Sequence, residues 1–388
     1  MERVYLDHAA TTPLDPGVLS AMEPYMTEHY GNASSVHQLG REARVAVEES
    51  RERVAACIGA EPSEIVFTSG GTESDNLALK GVLQAKSTTD QPAGLVTSAS
   101  EHKAVLEPAR RLAEQGHPVT ILDPDRHGAV TPDQVEAAID DRTALVSLIH
   151  VNNETGVMTD ISAISDICRD HDVLLHCDAV QSVGLHAPDV DDLGVDLMSI
   201  SGHKFYGPKG IGVLYVRGGV DLGPLVEGGS QERERRGGTE NVPGAVGLAE
   251  ALERAVEDAE ERSDHLSDLQ QRLVDGLDDA VPGSYVLNTP VGDAPISPHV
   301  VNVSFPPEGD TPIDGEMLIL NLDMEGVLVS AGSACTSGAL EPSHVLQTLG
   351  LDRPTASAAV RFSLGAHTTK EEIDFALEKL HTILRRMR

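Results

Sequence analysis

The chain has no tryptophan, five phenylalanines, six tyrosines and four cysteines in 388 residues. With so few rings the interior has to be aliphatic. At 40% hydrophobic content there is enough material for two domains, or for one large domain with a satellite. Four cysteines in so long a chain are no disulfide framework, and none falls in a Cys-x-x-Cys or Cys/His metal spacing. Positive charge is scarce too: 29 Lys plus Arg oppose 62 Asp plus Glu, a formal charge of −33. A phosphate backbone would be repelled at nearly every approach, which argues against direct nucleic-acid binding. The acid excess is spread along the chain, as in Asp189, Asp191 and Asp192 or Glu257, Asp258, Glu260 and Glu261, and so describes a solvated surface. It suggests adaptation to a high-salt cytoplasm, where screening relieves self-repulsion. No uncharged apolar run reaches membrane-spanning length, and the first residues lack a basic segment followed by an apolar one. The expectation is a cytoplasmic location with no membrane partner.

Short β-branched runs alternate with helical patterns: a strand at 64–68 and a helix at 73–84, then 94–98 and 103–115, then 143–151 and 162–171, with further strands at 173–178, 195–201 and 210–216. That alternation implies βαβ units around a mostly parallel buried sheet, with ligand chemistry at the carboxyl ends of its strands. From about Gly244 the pattern changes. A long charged helical stretch runs to about Asp279, followed by strands near 300–305, 326–330 and 359–363 and helices near 316–323, 342–349 and 370–386. These read as a smaller α+β domain, joined by the N-terminal segment.

Only seven lysines are present, and Lys204 follows the apolar stretch 195–200 inside Ser201-Gly202-His203-Lys204-Phe205-Tyr206-Gly207. A lysine in a turn at a strand end can be desolvated enough to offer the neutral amine that makes a Schiff base; taken alone, a surface lysine beside a Gly-rich turn is the default. Thr68-Ser69-Gly70-Gly71-Thr72-Glu73 is a strand end, a glycine turn and a helix start, whose free N–H groups and Thr72 hydroxyl suit a phosphate, though a bare turn looks the same. Asp178 ends the strand before it, either as a helix N-cap or as the carboxylate that keeps a pyridinium nitrogen protonated. Phosphate turn, Asp and lysine in that order are what a pyridoxal-phosphate enzyme needs. Cys335 stands in Ser330-Ala331-Gly332-Ser333-Ala334-Cys335-Thr336-Ser337-Gly338, a run too poor in apolar bulk to be core, and reads as a reactive thiol on an exposed loop. Cys57 and Cys168 fall at helix-core positions and Cys177 in a strand, so packing is the expectation for these three.

With these motifs in hand, the chain resembles the cysteine desulfurases of the class V aminotransferase group, in particular those that supply sulfur for iron–sulfur clusters. The likeness runs through Tyr5-Leu6-Asp7-His8-Ala9-Ala10-Thr11-Thr12-Pro13, Gly31-Asn32-Ala33-Ser34-Ser35-Val36-His37, Glu101-His102-Lys103, His150-Val151-Asn152-Asn153-Glu154, Arg236-Gly237-Gly238-Thr239-Glu240-Asn241 and Arg361-Phe362-Ser363-Leu364-Gly365, beside the motifs above. It implies the aspartate-aminotransferase-like fold (fold type I): a large domain over 13–250 with a mostly parallel seven-stranded sheet, and a smaller α+β domain from 1–12 and 251–388 carrying the cysteine loop at about 328–342. It implies pyridoxal 5'-phosphate in Schiff-base linkage to Lys204, with Asp178 on the ring nitrogen, Gln181 on the ring hydroxyl, His102 stacked on the ring and able to move protons, and Asn153 at its cofactor or substrate side. Gly71, Thr72, Ser201 and His203 would hold the phosphate, Thr239 would reach the neighbouring subunit's phosphate in a homodimer, and Arg361 would clamp the substrate carboxylate.

The implied reaction converts L-cysteine to L-alanine and leaves the sulfur on Cys335 as a persulfide, for delivery to an iron–sulfur scaffold protein or another sulfur acceptor. No resident metal is implied, beyond a transient cluster contact at Cys335. A selenocysteine lyase, a cysteine-sulfinate-type lyase and a non-catalytic cofactor-binding subunit are the alternatives. Cys335 favours sulfur from cysteine, and the complete set Lys204, Asp178, Arg361 and Cys335 favours an active enzyme. Two departures stand out. Gly71 occupies a position where alanine is frequent, at the cost of a methyl, and the stretch 287–311 is longer and richer in Pro and Gly than the resemblance leads one to expect.

Overall fold

The computed structural model describes residues 3–88, 90–186, 189–281, 285–309, 311–331 and 342–387. After the short strand β1 (Val4–Tyr5) come two helices, α1 (Pro16–Thr27) and α2 (Gln38–Cys57). Next come β2 (Ile65–Thr68), α3 (Gly71–Lys86), β3 (Gly94–Ser98), α4 (Lys103–Glu114), β4 (Val119–Leu122), α5 (Pro132–Ala138), β5 (Thr143–Ile149) and α6 (Ile161–Asp170). The series continues through β6 (Leu174–Asp178), α7 (Val190–Leu193), β7 (Leu197–Ser201) and β8 (Gly212–Val216). These strands form one seven-stranded sheet in the order β2-β8-β7-β6-β5-β3-β4, parallel from β7 through β4, with β8 antiparallel to both neighbours. Its central strands are buried on both faces, which is why they read as unbroken Val/Ile/Leu runs. The edge strand β4 escapes the same reading because it is short and partly solvent-facing.

The helical stretch expected from Gly244 to Asp279 is two helices meeting at Asp258: α8 (Val242–Glu257) and α9 (Ala259–Ala280). They part because they serve different cores. Apolar residues of α8 pack with α1, α2 and one face of the sheet, whereas Leu266, Leu269, Leu273 and Leu277 of α9 join a second cluster. That second cluster also covers β9 (Val286–Leu287), β10 (Val300–Ser304), α10 (Gly315–Met324) and β11 (Val327–Leu328). Beyond α11 (His344–Thr348) and α12 (Arg353–Ser357), β12 (Ala359–Ser363) and α13 (Lys370–Met387) complete it. β12, β10 and β9 make an antiparallel sheet, and β1 runs parallel to β11, so the N-terminal segment is built into this part.

One buried ion pair fixes the loop that leads to Arg236 and Thr239. Glu232, Arg233 and Glu234 all have positive φ (45°, 55° and 66°), a left-handed turn that costs L-residues about 1–2 kcal/mol each. Glu232 offsets that cost by accepting two bonds from the buried Arg51, at 2.7 and 3.0 Å, and one from the Phe67 amide at 3.0 Å. Glu232→Ala removes the buried partner of Arg51, leaving it the exposed Glu48 and the Ile65 carbonyl, and is expected to lower stability by about 3 kcal/mol, read as a fall in the urea unfolding midpoint.

Candidate active site

A cavity of about 960 Å³ opens at the carboxyl ends of the parallel strands and is walled on its far side by α10 and the end of β11. Asp178, the last residue of β6, and Ser201, the last of β7, both line it because their strands are adjacent and parallel; Asp178 pairs with Ser199, and Ser201 lies two residues further on. Between β2 and α3, Gly70 adopts φ +147°, and α3 starts with no side-chain cap, so its first amides face the cavity unclaimed. Gly71 lies at that helix start. A Cβ there would come within 2.7 Å of Val180 Cγ2, so the missing methyl gives Val180 its room, and alanine would displace it. Thr72, Ser201 and His203 line the same end of the cavity, and His203 Nδ1 lies 3.1 Å from Thr11 Oγ1.

Lys204 leaves the short turn after β7, and the next residue but one, Tyr206, is held at φ 67° with its amide on Thr12 Oγ1 at 2.8 Å. Lys204 Nζ donates to the carbonyls of Ala9 and Ala10 at 2.5 and 3.1 Å. Burial, with Arg361 nearby, brings its pKa down to about 8, against the opposing pull of Asp178 and Asp7. Asp178 Oδ1 accepts the Val180 amide at 3.0 Å, and burial pushes its carboxyl up to about 6. Two further carboxyls, unassigned by the sequence reading, are buried close by. Asp75 and Glu101 are both raised well above the carboxylate range by burial and by the Asp178 charge, and each keeps one oxygen without a hydrogen bond. Their only sequence signal is an acid at a core-facing position of α3 and another just before α4.

His102 caps α4: its Nδ1 accepts the Ala104 amide at 3.1 Å, and burial lowers its pKa to about 4. The neutral ring therefore carries its proton on Nε2, and taking up a second one at Nδ1 would break the cap. Arg361, on β12, crosses from the second cluster into the cavity. Its Nη1 donates to the Asn153 carbonyl and its Nη2 to Asp7 Oδ1, both at 2.9 Å, while Nε is buried without a partner. Gln181 also lines the cavity, whereas Thr239 is exposed in a neighbouring recess of about 110 Å³ that shares Ser69 and Gly210 with it. Cys335 lies outside the described residues. Both approaches to its segment stand at the cavity: Ser330 and Ala331 line one side and His344 the other. Ser343 bonds Glu154 and His344 Nε2 bonds the Glu101 carbonyl at 2.9 Å. The other three thiols are held in the protonated form by the same cause. Burial raises Cys57 to about 11 and Cys168 to about 12, and Cys177 well above its usual range.

A class-V aminotransferase model matches residues 4–375, nearly the whole chain. The chain belongs to that family. Among curated relatives, the cysteine desulfurase IscS of Dictyoglomus turgidum is 46% identical over 99% of this chain and 95% of its own length. A solved NifS-like protein superposes with a TM-score of 0.90 at 39% identity, covering 99% of this chain and 100% of its own. Another, described as SspA in complex with cysteine, does so with a TM-score of 0.81 at 38% identity over 94% of this chain and 100% of its own. The fold is thus the class-V aminotransferase fold, and the enzyme is pyridoxal-phosphate-dependent. The residues present fit that cofactor: an uncapped helix start for a phosphate, a carboxylate at a strand tip, and a lysine whose burial frees its amine.

Proposed function

We propose that this protein is a cysteine desulfurase that takes the sulfur of L-cysteine onto Cys335 and releases L-alanine. The observation that carries it is the meeting, in one cavity, of Lys204, Asp178, Arg361 with an unpartnered Nε, and both approaches to the Cys335 segment. Four residues separate Ala331 from Cys335, a length of at most about 14 Å, which supports a thiol within reach of the cavity. Bound pyridoxal phosphate would supply an electron sink for the charge left on the substrate Cα. The α3 start with Thr72, Ser201 and His203 would hold its phosphate, His102 would cover the ring face, and Gln181 would meet the ring hydroxyl. Asp178 would keep the ring nitrogen protonated. Arg361 would receive the substrate carboxylate on the N–H groups that Asp7 and Asn153 leave free, Lys204 would carry the Cα proton, and the Cys335 thiolate would attack the substrate sulfur. Incubation with cysteine and a reductant is expected to yield alanine and sulfide in equal amounts; alanine without stoichiometric sulfide, or neither product, refutes the reading.

Residues 13–250, extended by the last two turns of α8 (251–257), would form the cofactor domain, and 1–12 with the remaining C-terminal chain the smaller one, a division supported by the two apolar clusters. The exposed Thr239 suits a contact with the phosphate of a second copy in a homodimer. The acceptor of the persulfide would be an iron–sulfur scaffold or another thiolation protein, in the cytoplasm. No helix among the described residues is long and apolar enough to cross a membrane. The formal charge of −33 would make the fold salt-dependent, because at molar ionic strength the screening length falls to about 3 Å. The thermal unfolding midpoint is expected to rise from dilute buffer to molar KCl; an unchanged midpoint refutes the halophilic reading.

A further inference from the structure

Behind Gln181, three side chains from the turn after β6 and the segment before β10 form a hydrogen-bonded line. His299 Nε2 lies 3.2 Å from Gln181 Oε1, His299 Nδ1 lies 2.8 Å from Ser297 Oγ, and His186 Nε2 lies 3.0 Å from the same oxygen. Ser297 and His299 are buried and His186 half-buried. One arrangement of the protons satisfies all three contacts. Gln181 Nε2 donates to the Ala9 carbonyl at 2.9 Å, which orients the amide and leaves Oε1 an acceptor, so His299 donates from Nε2. Burial, with His186, Arg361, Lys204 and His8 around it, brings the His299 pKa down to about 3, so the ring is neutral and its Nδ1 accepts the Ser297 hydroxyl proton. The Ser297 oxygen in turn accepts His186 Nε2–H. All donors point toward Ala9, and bonds aligned in one direction polarise and strengthen one another. The same Ala9 carbonyl receives Lys204 Nζ.

We propose that His299 is a positioning residue for cofactor binding: its donation to Gln181 Oε1 holds the amide so that one N–H stays on Ala9 and the second stays available to the cavity. Without that donor, Oε1 would be buried unpaired, a state costly enough to turn the amide away from the cavity. The inference rests on the assignment of Gln181 to the ring hydroxyl. It also gives a task to part of the 287–311 stretch.

The test is the pH titration of the visible absorption of the cofactor-loaded protein, with cofactor content and unfolding midpoint measured alongside. A donor on the ring hydroxyl stabilises its anion and makes the adjacent nitrogen less basic, so losing the donor raises the titration midpoint. His299→Leu is expected to raise it by about half a unit to one unit, the scale of one hydrogen bond. His299→Gln, which keeps an N–H at the same reach, should restore it. Gln181→Leu should give the same shift, and the double variant no more than either alone. Should His299→Leu fold poorly, Ser297→Ala, which leaves His299 Nδ1 unpartnered, is expected to move the midpoint the same way by less. A shift in Gln181→Leu but none in the His299 and Ser297 variants overturns the proposal and leaves the Gln181 assignment standing. No shift in Gln181→Leu overturns the assignment, and the proposal with it.

Discussion

Cys335→Ser is expected to keep the yellow colour of the bound cofactor and lose sulfide release by roughly 10³-fold or more, the scale on which removal of a covalent nucleophile acts. Elimination and chain length both point to Cys335. The chain has four cysteines, and burial makes the other three poor thiolates, with Cys57 at about 11, Cys168 at about 12 and Cys177 well above its usual value. None of those three lines the cavity, whereas both approaches to the Cys335 segment do. A hydroxyl in place of the thiol is a far weaker nucleophile at neutral pH and forms no persulfide, while cofactor and substrate binding rest on other residues. Parallel assays of absorbance, alanine and sulfide separate the two properties. Full sulfide release by the variant would refute the assignment of Cys335, and a colourless variant would show that it serves cofactor retention instead.

Lys204→Ala is expected to abolish turnover, with roughly 10²–10⁴-fold lost for the proton carrier alone and more for the covalent hold on the cofactor. Lys204 Nζ is bound to two carbonyls, which accept from either protonation state, and desolvation brings its pKa to about 8. The neutral amine needed for attack is therefore a sizeable fraction just above neutrality, where an ordinary lysine would be almost wholly charged. Cofactor uptake by the stripped wild-type protein should accelerate as pH rises through about 8. The variant should bind the cofactor weakly and lose it on gel filtration, at every pH. Retention of the cofactor through gel filtration together with wild-type turnover would remove Lys204 from the mechanism.

The sheet is legible, but for its edge strand β4, because its central strands are buried on both faces: Leu145, Val146, Leu148, Leu175, Met198 and Ile200 leave an unbroken apolar trace. The motifs around Lys204, Asp178, Gly71 and Arg361 were legible for a related reason. Asp178 ends such a strand, Lys204 lies in the turn after one and Gly71 starts the next helix, while Arg361 lies within β12, so local sequence carries both the element and the chemistry on it. The break at Asp258 was not legible, because nothing local stops the helix there; α8 and α9 part only because they pack on different clusters.

The sequence by itself determined the architecture and the order of the chemical groups along the chain, since periodicity and strand-end motifs are properties of neighbouring residues. Only the tertiary structure decided what those groups touch. Asp7 restrains Arg361 across 354 positions, Glu232 neutralises Arg51 across 181, and His299 meets Gln181 across 118. Burial, which lowers Lys204 and raises Asp75 and Glu101, is likewise a property of the assembled molecule. Desolvation and long-range hydrogen bonds arise when distant segments meet, and they leave no periodic mark in the chain.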